Sequence, residues 1–165
     1  MLFWVICIVI IIFLFFGRIV FVDGVSMLPT LAEDDGMLVS SALFYEPKQG
    51  DIIIFRKDAY DDTRPLVKRV IATEGQTVDI DFDSGIVYVD GTALEEPYTM
   101  EPTYVQYDVY FPVTVEDGCV FVLGDNRNNS ADSRYSLIGM VDTREIIGPV
   151  RLVIFPPAHF GGVNE

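Results

Sequence analysis

Thr77-Val78-Asp79-Ile80-Asp81-Phe82-Asp83-Ser84-Gly85-Ile86-Val87-Tyr88-Val89-Asp90-Gly91 alternates apolar and polar residues on both sides of Asp83-Ser84-Gly85. A period of two places successive side chains on opposite faces of a strand. The stretch therefore predicts an antiparallel hairpin with one wet face, and Asp90-Gly91 predicts a second tight turn directly after it. Outward from the hairpin, Met37–Val39, Asp51–Phe55, Val67–Ala72, Tyr104–Val115, Cys119–Leu123 and Val150–Phe155 are further strand-like runs. Gly36, Gly50 and Pro156-Pro157 bound several of them. The one helix-like patch beyond residue 22 is the short segment from Pro29, and Asp58–Pro65 is expected as a solvated polar loop. The fold class is mostly β: a compact antiparallel β-sheet domain over residues 23–165, preceded by one apolar segment.

The length of 165 residues allows one modest domain and an anchor. Half the residues are apolar and the net charge is −14. Disorder needs low hydrophobicity, which excludes a disordered polyanion. The eleven Lys and Arg are scattered without a stripe that could neutralise phosphates, so no nucleic-acid partner is expected. An acidic surface also repels anionic lipid head groups, so any contact with a bilayer must be apolar. Cys7 lies in the apolar run and Cys119 in a strand-like run, so no disulfide is expected between them. No His/Cys/Asp cluster has metal-ligand spacing, and no metal or cofactor is expected. A monomer is the default.

Leu2–Phe16 is unbroken apolar sequence, followed by Gly17, Arg18 and Ile19-Val20-Phe21-Val22. Residues 1–22 as a helix would span roughly 33 Å, enough to cross a bilayer. A cleaved signal peptide is the competing reading. The segment lacks a basic start, and its nearest cleavage candidate, Val22-Asp23-Gly24, carries an acid in the middle. A transmembrane anchor is thus expected over residues 1–22. Its orientation stays open on these grounds: the positive-inside rule puts Arg18 on the cytoplasmic side, yet one arginine near a helix end snorkels to either interface.

Three stretches carry chemistry: Gly24-Val25-Ser26-Met27-Leu28-Pro29-Thr30-Leu31, Lys68-Arg69, and Gly124-Asp125-Asn126-Arg127-Asn128-Asn129-Ser130-Ala131-Asp132-Ser133-Arg134. A serine hydroxyl is a poor nucleophile until a neighbouring base takes its proton. The sole histidine, His159, lies among prolines and glycines beyond the last strand and reads as an exposed tail residue. A lysine can serve instead only when neutral. From a reference of about 10.4 to about 7.5 costs roughly 4 kcal/mol of disfavoured charge, which burial supplies. Lys68 has Leu66, Val67, Val70 and Ile71 around it on a predicted strand. If Lys68 points inward, Arg69 faces the other way and can stay solvated. Taken singly, the three stretches have bland readings as a cap, a charged pair and a polar turn.

In combination they resemble the bacterial type I signal peptidases, membrane-anchored Ser/Lys endopeptidases that remove signal peptides from exported proteins. The resemblance covers nearly the whole chain, and also rests on Gly50–Phe55 and Lys68–Ala72. It implies Ser26 as nucleophile and Lys68 as general base, with Ser130 orienting the lysine amine. It further implies that the Asp132–Arg134 pair braces the site, with Met27, Arg69 and Asp125 as supporting residues. The partners it implies are preprotein signal peptides and the lipid bilayer, with the catalytic domain on the extracytoplasmic side. Where some members carry a side-chain donor to the oxyanion hole, this chain has Gly24, the Gram-positive pattern. The hole is then expected to use the backbone N–H groups of Ser26 and Gly24. Only residues 69–123 separate Lys68 from Gly124, so the large inserted domain of Gram-negative members is missing. A pilin- or conjugation-specific Ser/Lys peptidase and an inactive pilus-assembly relative are the rival readings.

Overall fold

The computed structural model describes residues 3–6 and 17–163. Residues 3–6 are helical, and the rest is built from strands, turns and three short 3-10 helices at Arg127–Asn129, Thr143–Glu145 and Pro157–His159. The strands are β1 (Arg18–Phe21), β2 (Gly36–Val39), β3 (Ile52–Lys57), β4 (Asp61–Thr73), β5 (Thr77–Asp81) and β6 (Ile86–Val89). They continue with β7 (Thr92–Ala93), β8 (Val113–Thr114), β9 (Cys119–Leu123), β10 (Val141–Asp142), β11 (Ile146–Phe155) and β12 (Gly161–Gly162). One sheet runs β1-β2-β11-β3-β4-β9-β10 with β12 on β11, and a smaller one runs β7-β6-β5-β8. Every pairing is antiparallel.

The hairpin expected from Thr77 to Val89 is present as β5 and β6. Val78 faces Val89 and Ile80 faces Val87, all four buried, while Asp79 and Asp81 point outward. Asp90 and Gly91 both take positive φ, at 50° and 76°, which is the type I′ geometry that matches strand twist. In the larger sheet the apolar run of β3 has no wet face. Ile52 and Ile54 of β3 enter a core with Met27, Leu31, Met37 and Val150. Ile53 and Phe55, one residue out of phase, enter a second core with Val70, Val122 and Ile138. Phe121 and Leu123 of β9 join a third with Val78, Ile80 and Val87, which seals the small sheet against the large one. Continuous apolar runs thus mark strands covered on both faces.

Several expectations are corrected. The anchor expected over residues 1–22 cannot be helical to its end, because Arg18–Phe21 pairs with β2, Arg18 opposite Val39 and Phe21 opposite Gly36. Residues 7–16 lie outside the described residues, and with them Cys7. Among the described residues no helix is long and apolar enough to cross a membrane. The segment from Pro29 forms turns and no helix; a single bond from Leu31 N–H to the Met27 carbonyl closes one turn.

The loop expected at 58–65 is shorter. Lys57 pairs with Asp61, and the Asp61 carboxylate accepts from the backbone N–H groups of Thr63 and Arg64, which carries the strand through this polar stretch. Tyr104–Val115 is a strand only at Val113–Thr114. Several of its other backbone groups are met by the polar segment across from it, and Val115 N–H by the Gln76 carbonyl. Asn128 Oδ1 accepts from Tyr104 and Val105, Arg134 donates to the Val105 carbonyl, and the Arg134 carbonyl accepts from Val109.

Candidate active site

Ser26 lies in a loop whose base is closed by backbone bonds from Val22 N–H to the Asp35 carbonyl and from Asp34 N–H to the Val22 carbonyl. Met27 and Leu31, fully buried, plug the loop into the core. Met27 is therefore a packing residue, out of reach of lipid. The loop's other side rests on the polar segment: Asn126 donates its backbone N–H to the Ser26 carbonyl at 3.0 Å and its side-chain amide to the Val25 carbonyl at 3.0 Å. Gly124 sits so close that an added Cβ would overlap the Ser130 side chain and the Ser26 carbonyl oxygen. Only glycine fits there.

This packing sets Ser26 Oγ 2.7 Å from Lys68 Nζ, which also donates to the Val67 carbonyl at 2.8 Å. Lys68 is 2% exposed. Burial brings its pKa from the ordinary 10.5 down to about 8, although the carboxylates of Asp132 and Asp125 push the other way. At neutral pH a useful fraction of the amine is then free of its proton, with its lone pair within reach of the serine hydroxyl.

The charges around the pair are buried and matched. Arg69 is 3% exposed and binds Asp125 through Nε and one terminal nitrogen, at 2.8 and 2.7 Å, so it is not solvated as expected. It does leave β4 in a different direction from Lys68, but into a second polar layer: its other terminal nitrogen reaches the Gly50 carbonyl, and the Thr30 hydroxyl donates to Asp125. Asp132 and Arg134 form a bidentate pair, both fully buried, and Asp132 Oδ2 accepts from Gly124 N–H at 3.1 Å. Ser130 Oγ is buried and, among the described residues, has no hydrogen-bond partner. The lysine amine meets Ser26 and Val67 and is not bonded to Ser130. Gly24 takes φ +102° and faces open space, and among the described residues no acceptor meets the Ser26 N–H.

Other residues of this layer escape sequence reading. Arg127, fully buried, binds both oxygens of Glu96 at 2.7 and 2.6 Å, the Thr103 hydroxyl and the Gly124 carbonyl. Its burial opposes its charge, but the Glu96 carboxylate more than offsets this and raises its pKa. The Tyr98 ring lies 3.9 Å from the Arg69 guanidinium, a cation–π contact, and burial beside Glu96 lifts its hydroxyl pKa to about 12. Glu96 and Tyr98 belong to an irregular stretch with no periodic signal. His159 is half-exposed and bonds the buried Asp35 at 2.8 Å, so it is tied down at the loop base rather than free in a tail.

Two strand edges frame the pair. Among the described residues β1 has no partner strand beyond β2, and β9 joins β4 only from Arg69 onward, which leaves the outer edge of residues 61–68 unpaired. The contact of Ser26 with Lys68 joins the loop after β1 to β4 near these two edges.

A serine beside a buried lysine, on an antiparallel β scaffold, is the arrangement of a serine peptidase that dispenses with histidine. Residues 1–155 match the family model described as signal peptidase, peptidase S26, and the chain belongs to that family. It is 41% identical over 153 residues to a probable signal peptidase I-1 of Synechocystis, covering 88% of this chain and 74% of that protein. It is 36% identical over 144 residues to signal peptidase I of Bacillus licheniformis, covering 82% and 75%. The crystal structure of a signal peptidase I from Enterococcus faecalis superposes with a TM-score of 0.52 at 31% identity, over 64% of this chain and 97% of that one.

Proposed function

We propose that Ser26 Oγ attacks the scissile carbonyl of a signal peptide while Lys68 Nζ takes its proton. The chain is a serine endopeptidase of the signal peptidase type, and its substrates are preprotein signal peptides. Lys68 then protonates the leaving amine, and the same base activates the water that hydrolyses the acyl-enzyme. The observation that carries this reading is the 2.7 Å contact between Ser26 Oγ and a lysine amine whose pKa burial brings to about 8.

The developing oxyanion is held by backbone N–H groups of Ser26 and Gly24. The unmet Ser26 N–H and the open space beside Gly24 support this. Ser130 Oγ, buried without a partner, has donor and acceptor capacity left to orient the lysine amine as protons move. The peptide lies extended in the slot between β1 and β4, where main-chain bonds hold it and shallow pockets select small residues before the cut.

The apolar segment ending near residue 17 anchors the domain in the membrane, with residues 18–165 on the extracytoplasmic side. Exposed Ile19 and Phe21, next to that segment, support a bilayer beside it, and the resemblance to the family implies the extracytoplasmic side. The test is cleavage of a generic preprotein by detergent-solubilised full chain. Ser26→Ala and Lys68→Ala should abolish the cut, with the wild type cutting after small-x-small sequences. Full activity in Lys68→Ala would overturn the mechanism.

A further inference from the structure

Two contacts join the loop after β1 to β4, across the slot proposed above for the peptide. One tie is the Ser26–Lys68 contact. The other joins Arg64 to Asp23 Oδ2 at 2.9 Å, and it bridges the same two walls: Asp23 follows β1 by two residues, and Arg64 lies on the unpaired edge of β4. Arg64 lies four positions before Lys68 on the strand, so the second tie crosses the slot roughly 13 Å from the reacting pair. An extended peptide with its scissile bond at Ser26 reaches that distance in about four residues. Next to Arg64 stands Pro65, which has no N–H and belongs on an edge without a permanent neighbour. Asp61 accepts from the Arg64 backbone N–H and holds that part of the strand in place.

Both partners of this second tie are largely exposed, at 69% and 70% of their side-chain surface. Such a pair is weak and screened by salt. It is weak enough to be displaced at small cost.

We propose that the Asp23–Arg64 ion pair is a latch across the substrate slot, which an extended peptide must open to lie along β1 and β4. The proposal rests on the reading of this slot as the place where the signal peptide lies. Opening an exposed pair lowers apparent affinity by about two- to five-fold. The latch thus favours peptides that engage both edges over chains that only brush the surface.

The test uses the full chain in detergent micelles with the Ser26→Ala background to prevent turnover. The probe is a fluorescein-labelled peptide with alanine at the first and third positions before the cut, and its Kd is read by anisotropy. Arg64→Gln and Asp23→Asn should each tighten binding about two- to five-fold, and the two together should add nothing further. The charge-swapped double variant, Asp23→Arg with Arg64→Asp, should restore the original Kd. Raising salt should tighten binding with the latch present and change little without it. An unchanged or weaker Kd in both single variants would overturn the latch. Cleavage of the same peptide by the chain with Ser26 intact separates this outcome from the enzymatic reading. A cut with unchanged Kd sinks the latch alone, tightened binding without any cut sinks the peptidase reading and leaves the latch, and no binding to any variant sinks both.

Discussion

Replacing Lys68 by methionine should make the protein's stability respond differently to alkaline pH, by an amount the buried amine sets. The folded-state pKa of about 8 lies below the ordinary 10.5. Between those two values the unfolded chain holds a proton that the folded one has released, so stability rises with pH across that window. Below pH 8 both states are protonated, and the folded state carries the full penalty of a buried ammonium. A fall from 10.5 to about 8, at about 1.36 kcal/mol per pH unit, makes that penalty about 3 kcal/mol. Methionine keeps the length of the side chain and removes the charge. It also forfeits the bonds to Ser26 and the Val67 carbonyl, worth about 1 kcal/mol each. That loss is independent of pH, so the informative quantity is the difference between variant and wild type at two pH values. The stability advantage of Lys68→Met should be about 3 kcal/mol larger at pH 7 than at pH 10.5, read from denaturant unfolding in detergent. Tyrosines titrating in the same range cancel in the difference. A flat difference across the window would show that Lys68 is not desolvated, and the account of its basicity would fail.

The pH–rate profile should rise with an apparent pKa near 8, because the active form holds a neutral amine; a midpoint near 10 in steady-state cleavage would contradict it. Asp132→Asn removes the carboxylate that most opposes deprotonation of Lys68 and leaves Arg134 uncompensated beside it, so the midpoint should fall below 8 while stability drops by about 3–5 kcal/mol. An unmoved midpoint in a folded variant would remove Asp132 from the set of groups that tune the base. Gly124→Ala has no room for its methyl between Ser130 and the Ser26 carbonyl, and should cost about 1–3 kcal/mol in thermal unfolding together with most of the activity.

What the sequence made legible follows from how local its signals are. The β5–β6 hairpin could be read because each residue's face is set by its neighbours, and the burial of Lys68 because its apolar setting is contiguous with it. Tyr104–Val115 misled because its apolar spacing is that of a strand. Its backbone is met instead by Asn128 and Arg134, distant in the chain and invisible to a local pattern. Arg18–Phe21 misled in the opposite way. As part of a longer apolar run it reads as helix, yet its register with β2 makes it the first strand of the sheet. Arg69 was misjudged because strand alternation separates it from Lys68 but says nothing of a second buried layer on its own side.

That second layer explains why a neutral lysine can exist here at all. Asp125 and Asp132 are both fully buried, and both favour the charged form of Lys68. Left alone, two such carboxylates would pull the amine's pKa back towards its solution value, since an opposite charge nearby favours ionisation. Arg69 meets Asp125 through two nitrogens and Arg134 meets Asp132 in the same way, so each carboxylate's field is largely spent on its own partner. Arg127 could have added a third unpaired charge, but Glu96 binds it through both oxygens. The carboxylates remain useful: Asp132 fixes the Gly124 N–H, and through Gly124 the packing against Ser26. The arginines therefore act by cancelling charge. They let the acids position the Ser26 loop while burial, rather than any ion pair, decides the protonation of Lys68.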